Sequence, residues 1–163
     1  MARIDAAVFD AGPLIHLKEI GALGTLALFT KVVLSGQVRD ELLDFSLPKN
    51  CAVVELDGRA KDMAKIVAES LGLGLGEASA IALAKQKRVR LFFTDDLGAR
   101  DAAKRFNLEP HGTLAIITRA YRENLSSKAE AISFLEKIHS GSSLYVTTDL
   151  VAWARKQIES YGQ

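Results

Sequence analysis

The chain has 163 residues, of which 48% are apolar and 25% charged, a composition that excludes a disordered chain and suits a globular protein. The net charge of +1 argues against a polybasic mode of nucleic-acid binding, although an uneven charge distribution still permits binding. One cysteine, Cys51, excludes an intrachain disulfide, and we expect it to be a small buried hydrophobe. No apolar run approaches the roughly 18 residues of a membrane span. We therefore expect a soluble, cytoplasmic protein with no membrane contact.

The predicted elements alternate between strands and helices along the chain. Short apolar runs predict strands over residues 4–9, 31–35, 51–56 and 89–94. Helical periodicity and capping residues predict helices from residue 13 and over 37–45, 58–71, 77–87, 97–106, 113–123, 126–139 and 149–161. This alternation predicts an α/β fold with a central, mostly parallel sheet of four or five strands between layers of helices, and a helical C-terminus. We expect one domain over residues 1–163, with a core of about 4–125 and an extension of about 126–163.

The glycine-rich segment LGLGLGEASAIALAK spans residues 71–85. A dinucleotide-binding loop requires a strand before its glycines, whereas here a helix precedes them. A P-loop requires lysine after its last glycine, whereas Gly76 is followed by Glu77, whose charge would repel a phosphate. We therefore expect Gly72 to end one helix, and Gly74 and Gly76 to let the chain turn into the next.

Carboxylates fall at corresponding points of the predicted sheet. Asp10 ends the first strand, Asp95 and Asp96 end the fourth, and Glu41 lies in the helix after the second. The carboxyl ends of parallel strands share one edge, where sites assemble, although the residues alone leave the place of Glu77 open. Each acid on its own also suits helix capping or a solvated surface. Together they suit a hard divalent cation, chiefly Mg²⁺ or Mn²⁺, in phosphodiester cleavage.

Four segments in this order resemble the PIN-domain family, and in particular its compact prokaryotic members, the VapC-like toxin ribonucleases. The segments are VFDAGPLIHL (residues 8–17), VRDELL (38–43), GEASAIALAK (76–85) and LFFTDDLGAR (91–100). The resemblance covers about residues 4–120. It implies a parallel sheet flanked by helices, with catalytic acids Asp10, Glu41, Glu77 and Asp96. It further implies an Mg²⁺ or Mn²⁺ site with ligands among Asp10, Glu77, Asp95 and Asp96, of which Asp96 matches the family spacing best.

The same resemblance implies a metal-dependent endoribonuclease that cleaves single-stranded or structured RNA. It implies a toxin of a toxin–antitoxin pair, with an antitoxin protein as partner, and a homodimer. It also implies that the glycine segment brings Glu77 to the edge of the sheet. Many members carry a hydroxyl residue after the first acid, where this chain has Gly12, so Thr94 is a candidate to supply that hydroxyl.

Other polar and aromatic residues receive weaker expectations. Thr94 and Arg100 are candidates for substrate contact, because Arg100 follows Asp96 by about one helical turn. We expect His16 to pack in the core. We expect the stripe that contains Trp153 to pack on the core as well, with a dimer or antitoxin surface as the alternative.

Two other functions compete with the nuclease. A haloacid-dehalogenase-type phosphatase also uses an acid after its first strand, and TDDLGARD resembles its last acidic motif. That family requires a second aspartate two residues after the first, where this chain has Gly12. The other alternative is a non-catalytic PIN-like module that binds RNA or protein, against which the full set of acids argues.

Overall fold

The computed structural model describes residues 2–162 and contains one five-stranded sheet with helices around it. The strands are β1 Ile4–Phe9, β2 Phe29–Ser35, β3 Cys51–Val54, β4 Leu91–Phe93 and β5 Glu109–His111. Their order across the sheet is β3-β2-β1-β4-β5, and all four neighbouring pairs are parallel. The predicted three-layer α/β/α fold with a helical C-terminus is confirmed.

Eight α-helices and one short 3₁₀ helix (Leu23–Leu28) are found in the described residues. The α-helices are α1 Ala11–Glu19, α2 Gly36–Glu41, α3 Gly58–Leu71, α4 Leu75–Lys87, α5 Leu97–Arg105, α6 Thr113–Arg122, α7 Lys128–Gly141 and α8 Thr148–Ser160. Among residues 2–162, none combines the length and the apolar character that crossing a membrane requires.

The structure departs from the predicted elements at the edge of the sheet and in the helix after β2. Strand β5 was not predicted, because its three residues alternate in exposure and include Pro110. Proline cannot donate to a ladder and is tolerated in an edge strand, which is where β5 lies. The helix predicted over residues 37–45 is shorter, since α2 ends at Glu41 and a turn follows.

Strand β1 is the centre of the fold. It lies between β2 and β4, and the side chains of its last three residues are fully buried. Phe9 stacks on Phe93 of β4, with ring centroids 4.7 Å apart, and meets Phe29 of β2 edge-on at 5.2 Å. Such aromatic pairs stabilise a fold by about 0.5–1.5 kcal/mol each beyond their buried area. The register of the three central strands, and so of their ends, is therefore fixed by the core.

Among the helices whose first turn is capped by a side chain, three follow the central strands β2, β1 and β4. Asp10 caps α1, Ser35 caps α2 and Asp96 caps α5, each by accepting a backbone N–H of the helix. A side chain that caps a helix after a strand has little freedom, because strand and helix both hold its backbone. Two acids are thus held at the carboxyl edge of the sheet.

The C-terminal helices form a small layer of their own against the rest of the fold. Helices α7 and α8 pack on each other and on α6, and they bury Ala131, Leu135, Ile138, Ala154 and Ile158. The segment between α7 and α8 is held to α1, because Glu19 accepts from the backbone N–H and the hydroxyl of Ser143, at 3.1 and 2.7 Å. The division into a core and an extension stays a prediction.

Candidate active site

A cleft of about 360 Å³ opens at the carboxyl edge of the sheet, above β1 and β4. We call it the acid cleft, because it is lined by all five acids that the sequence singled out: Asp10, Glu41, Glu77, Asp95 and Asp96. They come from four different segments of the chain, the last two acids being adjacent in sequence. The structure thus brings together side chains up to 86 positions apart, including Glu77, whose place the residues alone left open.

Asp10 is a buried residue, since only 7% of its surface is exposed. Its Oδ1 accepts from the backbone N–H of Ala11 at 2.9 Å, and its Oδ2 accepts from the hydroxyl of Thr94 at 3.0 Å. Burial raises the pKa of Asp10, and the nearby charges of Asp96 and Asp95 raise it further against the effect of these two donors.

Thr94 links the two strand ends that carry acids. Its hydroxyl donates to Asp10 and accepts from the backbone N–H of Asp96 at 3.2 Å. Thr94 thus offers Asp10 a hydroxyl, which Gly12 has no side chain to provide. Thr94 is fully buried, and its hydroxyl orients an acid. Contact of Thr94 with substrate stays a prediction.

Asp95 faces a different set of partners. His16 Nδ1 lies 2.6 Å from its Oδ2, the Thr113 hydroxyl donates to the same oxygen at 2.5 Å, and the Thr113 backbone N–H donates to Oδ1 at 2.7 Å. The guanidinium of Arg100 lies 3.9 Å from Oδ1. Burial disfavours the charged form, but these hydrogen bonds outweigh it, and the pKa of Asp95 is lowered. Because an ionised carboxylate only accepts, the His16 Nδ1 is the donor in this pair.

His16 therefore does more than pack in the core, and the expectation of simple core packing is wrong. It lies on α1 and lines the acid cleft beside Asp95. No local pattern indicates this pairing, since the two residues are 79 positions apart and meet only when β1 and β4 pair.

Asp96 differs from its neighbour in exposure and in partners. It is an exposed residue at the start of α5, and its Oδ1 accepts from the backbone N–H of Ala99 at 2.7 Å. Both oxygens of Asp95 thus accept hydrogen bonds from surrounding groups. Asp96, in contrast, caps α5 and is exposed to the cleft.

The glycine segment does bring a carboxylate to the cleft. Gly72 ends α3 in the left-handed conformation, with φ of 65°, and Gly74 precedes α4. The side chain of Glu77 turns back so that its Oε2 accepts from the backbone N–H of Gly74 at 3.1 Å. Gly76 has a different use, because a Cβ at this position would collide with the carboxylate of Glu41. The missing side chain of Gly76 lets α4 and Glu41 approach each other.

The charges of the acid cleft act on one another. Burial raises the pKa of Glu77, and so do the charges of Asp96, Asp10 and Glu41. Burial and the charge of Asp10 likewise raise the pKa of Glu41. Three acids of the cleft are therefore harder to ionise than isolated carboxyls, because each is partly removed from water and faces other negative charges.

Carboxylate oxygens with mutual repulsion suit a hard divalent cation by donor type and by charge. Among residues 2–162, however, no three His, Cys, Asp or Glu side chains are arranged closely enough to hold a metal ion as they stand. The residues thus fit a divalent cation in their chemistry, and binding would have to draw the acids together.

The acid cleft lies at the carboxyl ends of the central strands, where parallel α/β sheets assemble their binding sites. A family model described as a PIN domain matches residues 6–160. The chain therefore belongs to the PIN-domain family, whose members are generally nucleases and typically use divalent metals. No curated protein matches the chain.

Proposed function

We propose that the chain is a metal-dependent endoribonuclease whose reaction takes place in the acid cleft. The observation that carries this proposal is the convergence of Asp10, Glu41, Glu77 and Asp96 on one cleft, where three of the four have raised pKa values. Such a cluster is costly in free energy unless a cation offsets it, so its presence is best explained by ion binding. Membership in a family whose members are generally nucleases supports phosphodiester hydrolysis as the reaction.

In this proposal Asp10, Glu77 and Asp96 hold one or two ions of Mg²⁺ or Mn²⁺, with Glu41 facing them. A bound divalent ion supplies Lewis acidity and a water of lowered pKa for attack on a phosphodiester. The chain's own groups have separate tasks. Thr94 fixes the Oδ2 of Asp10 by donating to it, and Asp96 is held by its capping bond at the start of α5.

Asp95 is proposed as a positioning residue instead of a metal ligand. Its oxygens already accept from His16 and Thr113, and these bonds tie α1, β4 and α6 together beside the cleft. This assignment chooses Asp96 over Asp95 as the acid that meets the ion.

The biological role is proposed on the family likeness alone. The family resemblance carried by the four acid-bearing segments supports a toxin of a toxin–antitoxin pair, with a protein antitoxin and a homodimer. Expression of the chain in bacterial cells would then arrest growth, and Asp10→Asn would abolish the arrest. Unimpaired growth with soluble wild-type protein, together with cleavage in vitro, would contradict the toxin role and leave the nuclease standing.

The first test of the reaction is cleavage of a panel of single-stranded and structured RNAs with Mg²⁺ or Mn²⁺. Asp10→Asn should lower the rate by at least about 100-fold, the loss typical when one group that stabilises transition-state charge is removed. Asp62→Asn, at an exposed position of α3, is the matched control and should cleave like the wild type. Equal cleavage by wild type and Asp10→Asn would overturn the proposal, as would absence of Mn²⁺ binding by calorimetry.

A further inference from the structure

A second cleft of about 470 Å³ adjoins the acid cleft. We call it the aromatic groove and define it by six of its residues, Leu97, Arg100, Arg122, Tyr145, Leu150 and Trp153. Tyr145 and its neighbour Leu144 line both clefts, as does Asp95. These three residues therefore form a wall that the two clefts share.

Several large apolar and aromatic side chains of the aromatic groove are exposed. Tyr145 is 88% exposed and Leu97 is 74% exposed, while Trp153 is 56% exposed. The expectation that the Trp153 stripe packs on the core is thus correct for Ala154 and Ile158, which are buried, and wrong for Trp153 itself. Large aromatic side chains held open beside a reactive cleft point to a ligand that covers them.

Two guanidinium groups lie along the same groove. Arg100 donates from Nε to the backbone oxygen of Thr94 at 3.1 Å, which fixes its side chain, and a Cβ on Gly112 would collide with it. Arg122 is an exposed residue, and its guanidinium lies 5.6 Å from the ring centre of Tyr161 and donates to Gln157 at 3.4 Å. Arg100, which is partly exposed and also lies 3.9 Å from Oδ1 of Asp95, and the exposed Arg122 therefore lie on the same surface as the exposed aromatic rings.

The position of Tyr145 is held by the segment between α7 and α8. Ser143 is bound to Glu19 of α1, and the next residue, Leu144, packs against the core. The chain is thereby pinned just before Tyr145, at the point where the acid cleft meets the groove. The contacts that hold this segment leave the ring of Tyr145 exposed at that point.

We propose that the aromatic groove binds the single strand of RNA that extends from the scissile phosphate. This inference rests on the proposed nuclease function of the acid cleft. Bases would stack on Tyr145 and Trp153, while Arg122 and Arg100 would contact phosphates, since single-strand binding combines aromatic platforms with cations along the backbone. RNA is favoured over a protein occupant because the groove carries cations and runs directly into an acid cleft that acts on phosphodiesters.

The test uses the chain in the uncleaving Asp10→Asn background, with EDTA and a fluorescently labelled single-stranded RNA of mixed sequence. Tyr145→Ala and Trp153→Ala should each weaken binding by about tenfold, as the loss of one base stack does. Arg122→Gln should weaken it as well and lower the slope of log affinity against log salt by about 0.7, the value for one phosphate of a single strand. Ile66→Ala and Arg59→Gln, both exposed on α3, are the matched controls and should bind like the background.

Trp153 supplies an independent readout, because it is the sole tryptophan of the chain. Stacking of a base on its ring should change its fluorescence on titration with unlabelled RNA, and the Tyr145→Ala variant should shift that titration to higher RNA concentration. A tryptophan signal that does not respond to RNA would overturn stacking on Trp153.

The outcomes separate the groove from the reaction. Cleavage by the wild type with RNA binding unchanged in all three groove variants overturns the groove and leaves the nuclease. Groove-dependent binding without metal-dependent cleavage supports the groove as an RNA surface and overturns the nuclease. If the Asp10→Asn protein does not bind RNA, the proposal for the groove is overturned. If Trp153→Ala converts a dimer to a monomer without loss of RNA binding, the surface serves self-association instead, which also overturns the proposal.

Discussion

Asp10 and Asp95 follow neighbouring strands of the same sheet and are buried to a similar degree, yet their carboxyl groups behave in opposite ways. The pKa of Asp10 is raised, chiefly by burial, whereas the pKa of Asp95 is lowered despite its burial. The difference lies in the partners. Asp10 has two donors and faces other acids, while Asp95 has two donors from Thr113, the ring of His16 and a nearby guanidinium.

This contrast shows how one sheet edge holds two buried carboxyl groups with opposite pKa shifts. Burial makes each carboxylate costly to ionise, and the surrounding charges and donors decide whether that cost is offset. On the Asp10 side the two donors do not offset it, and the pKa stays raised. On the Asp95 side the protein offsets it internally, so that α1, β4 and α6 are tied together.

The largest effect on stability should come from Asp95→Asn. An amide in this position places a donor against groups that already donate, so at least one buried group loses its partner, at a cost of about 1–3 kcal/mol. In a chain of this size, each kcal/mol lowers the melting temperature by about 2–4 °C, which calorimetry resolves. Asp96→Asn is the neighbouring control with a smaller expected loss, because Asn also caps helices. Equal melting of Asp95→Asn and wild type would break the contrast.

The next effect concerns the other side of the acid cleft. Gly76→Ala places a Cβ where the carboxylate of Glu41 lies, and that carboxylate is the end of a flexible, exposed side chain. We expect Glu41 to move away at little cost in stability, while cleavage falls by about tenfold or more, since small misplacements of site groups are costly to rate. Gly58→Ala, which meets open space, is the control for both melting and activity. Full activity of Gly76→Ala would separate Glu41 from the reaction.

A smaller effect follows from the sign of the two pKa shifts, measured without metal. Because the folded pKa of Asp10, Glu41 and Glu77 is raised, their charges destabilise the fold at neutral pH, and stability should rise as pH falls towards those raised values. The lowered pKa of Asp95 contributes stability above its ordinary value of 3.8, which is lost as pH falls through the folded value.

Urea unfolding in EDTA measures both trends. The midpoint should increase from pH 7 towards acid and then fall below about 3.8, while Asp10→Asn should have a higher midpoint at pH 7 and a smaller rise. A lower midpoint for Asp10→Asn at pH 7 would mean that its hydrogen bonds outweigh its charge.

The smallest expected signal tests the effect of burial alone. Cys51 of β3 lacks the charged neighbours of the acid cleft, and burial raises the pKa of its thiol to about 11. Alkylation by iodoacetamide at pH 8 should therefore be much slower than that of free cysteine, and urea-unfolded chain provides the comparison. Modification of the folded chain as fast as that of the unfolded chain would contradict a raised pKa of the Cys51 thiol.

The sequence predicted most of the sheet and the edge at which acids gather. Strands β1 to β4 are apolar runs, and the acids that follow β1 and β4 mark the edge without any knowledge of tertiary contacts. It could not predict β5, whose three residues include a proline and alternate in exposure. Nor could it predict the His16–Asp95 pair, which forms only across the central strand pairing, or the exposure of Trp153, because an amphipathic pattern does not say which part of a stripe a neighbour covers.

The pairing of β1 with β4 also sets an order of events during synthesis. The strand that ends in Asp10 is made early, but its neighbour on one side is supplied more than 80 residues later. A growing chain therefore has no acid cleft until residues 91–96 have left the ribosome, and it has no aromatic groove until Trp153 has followed.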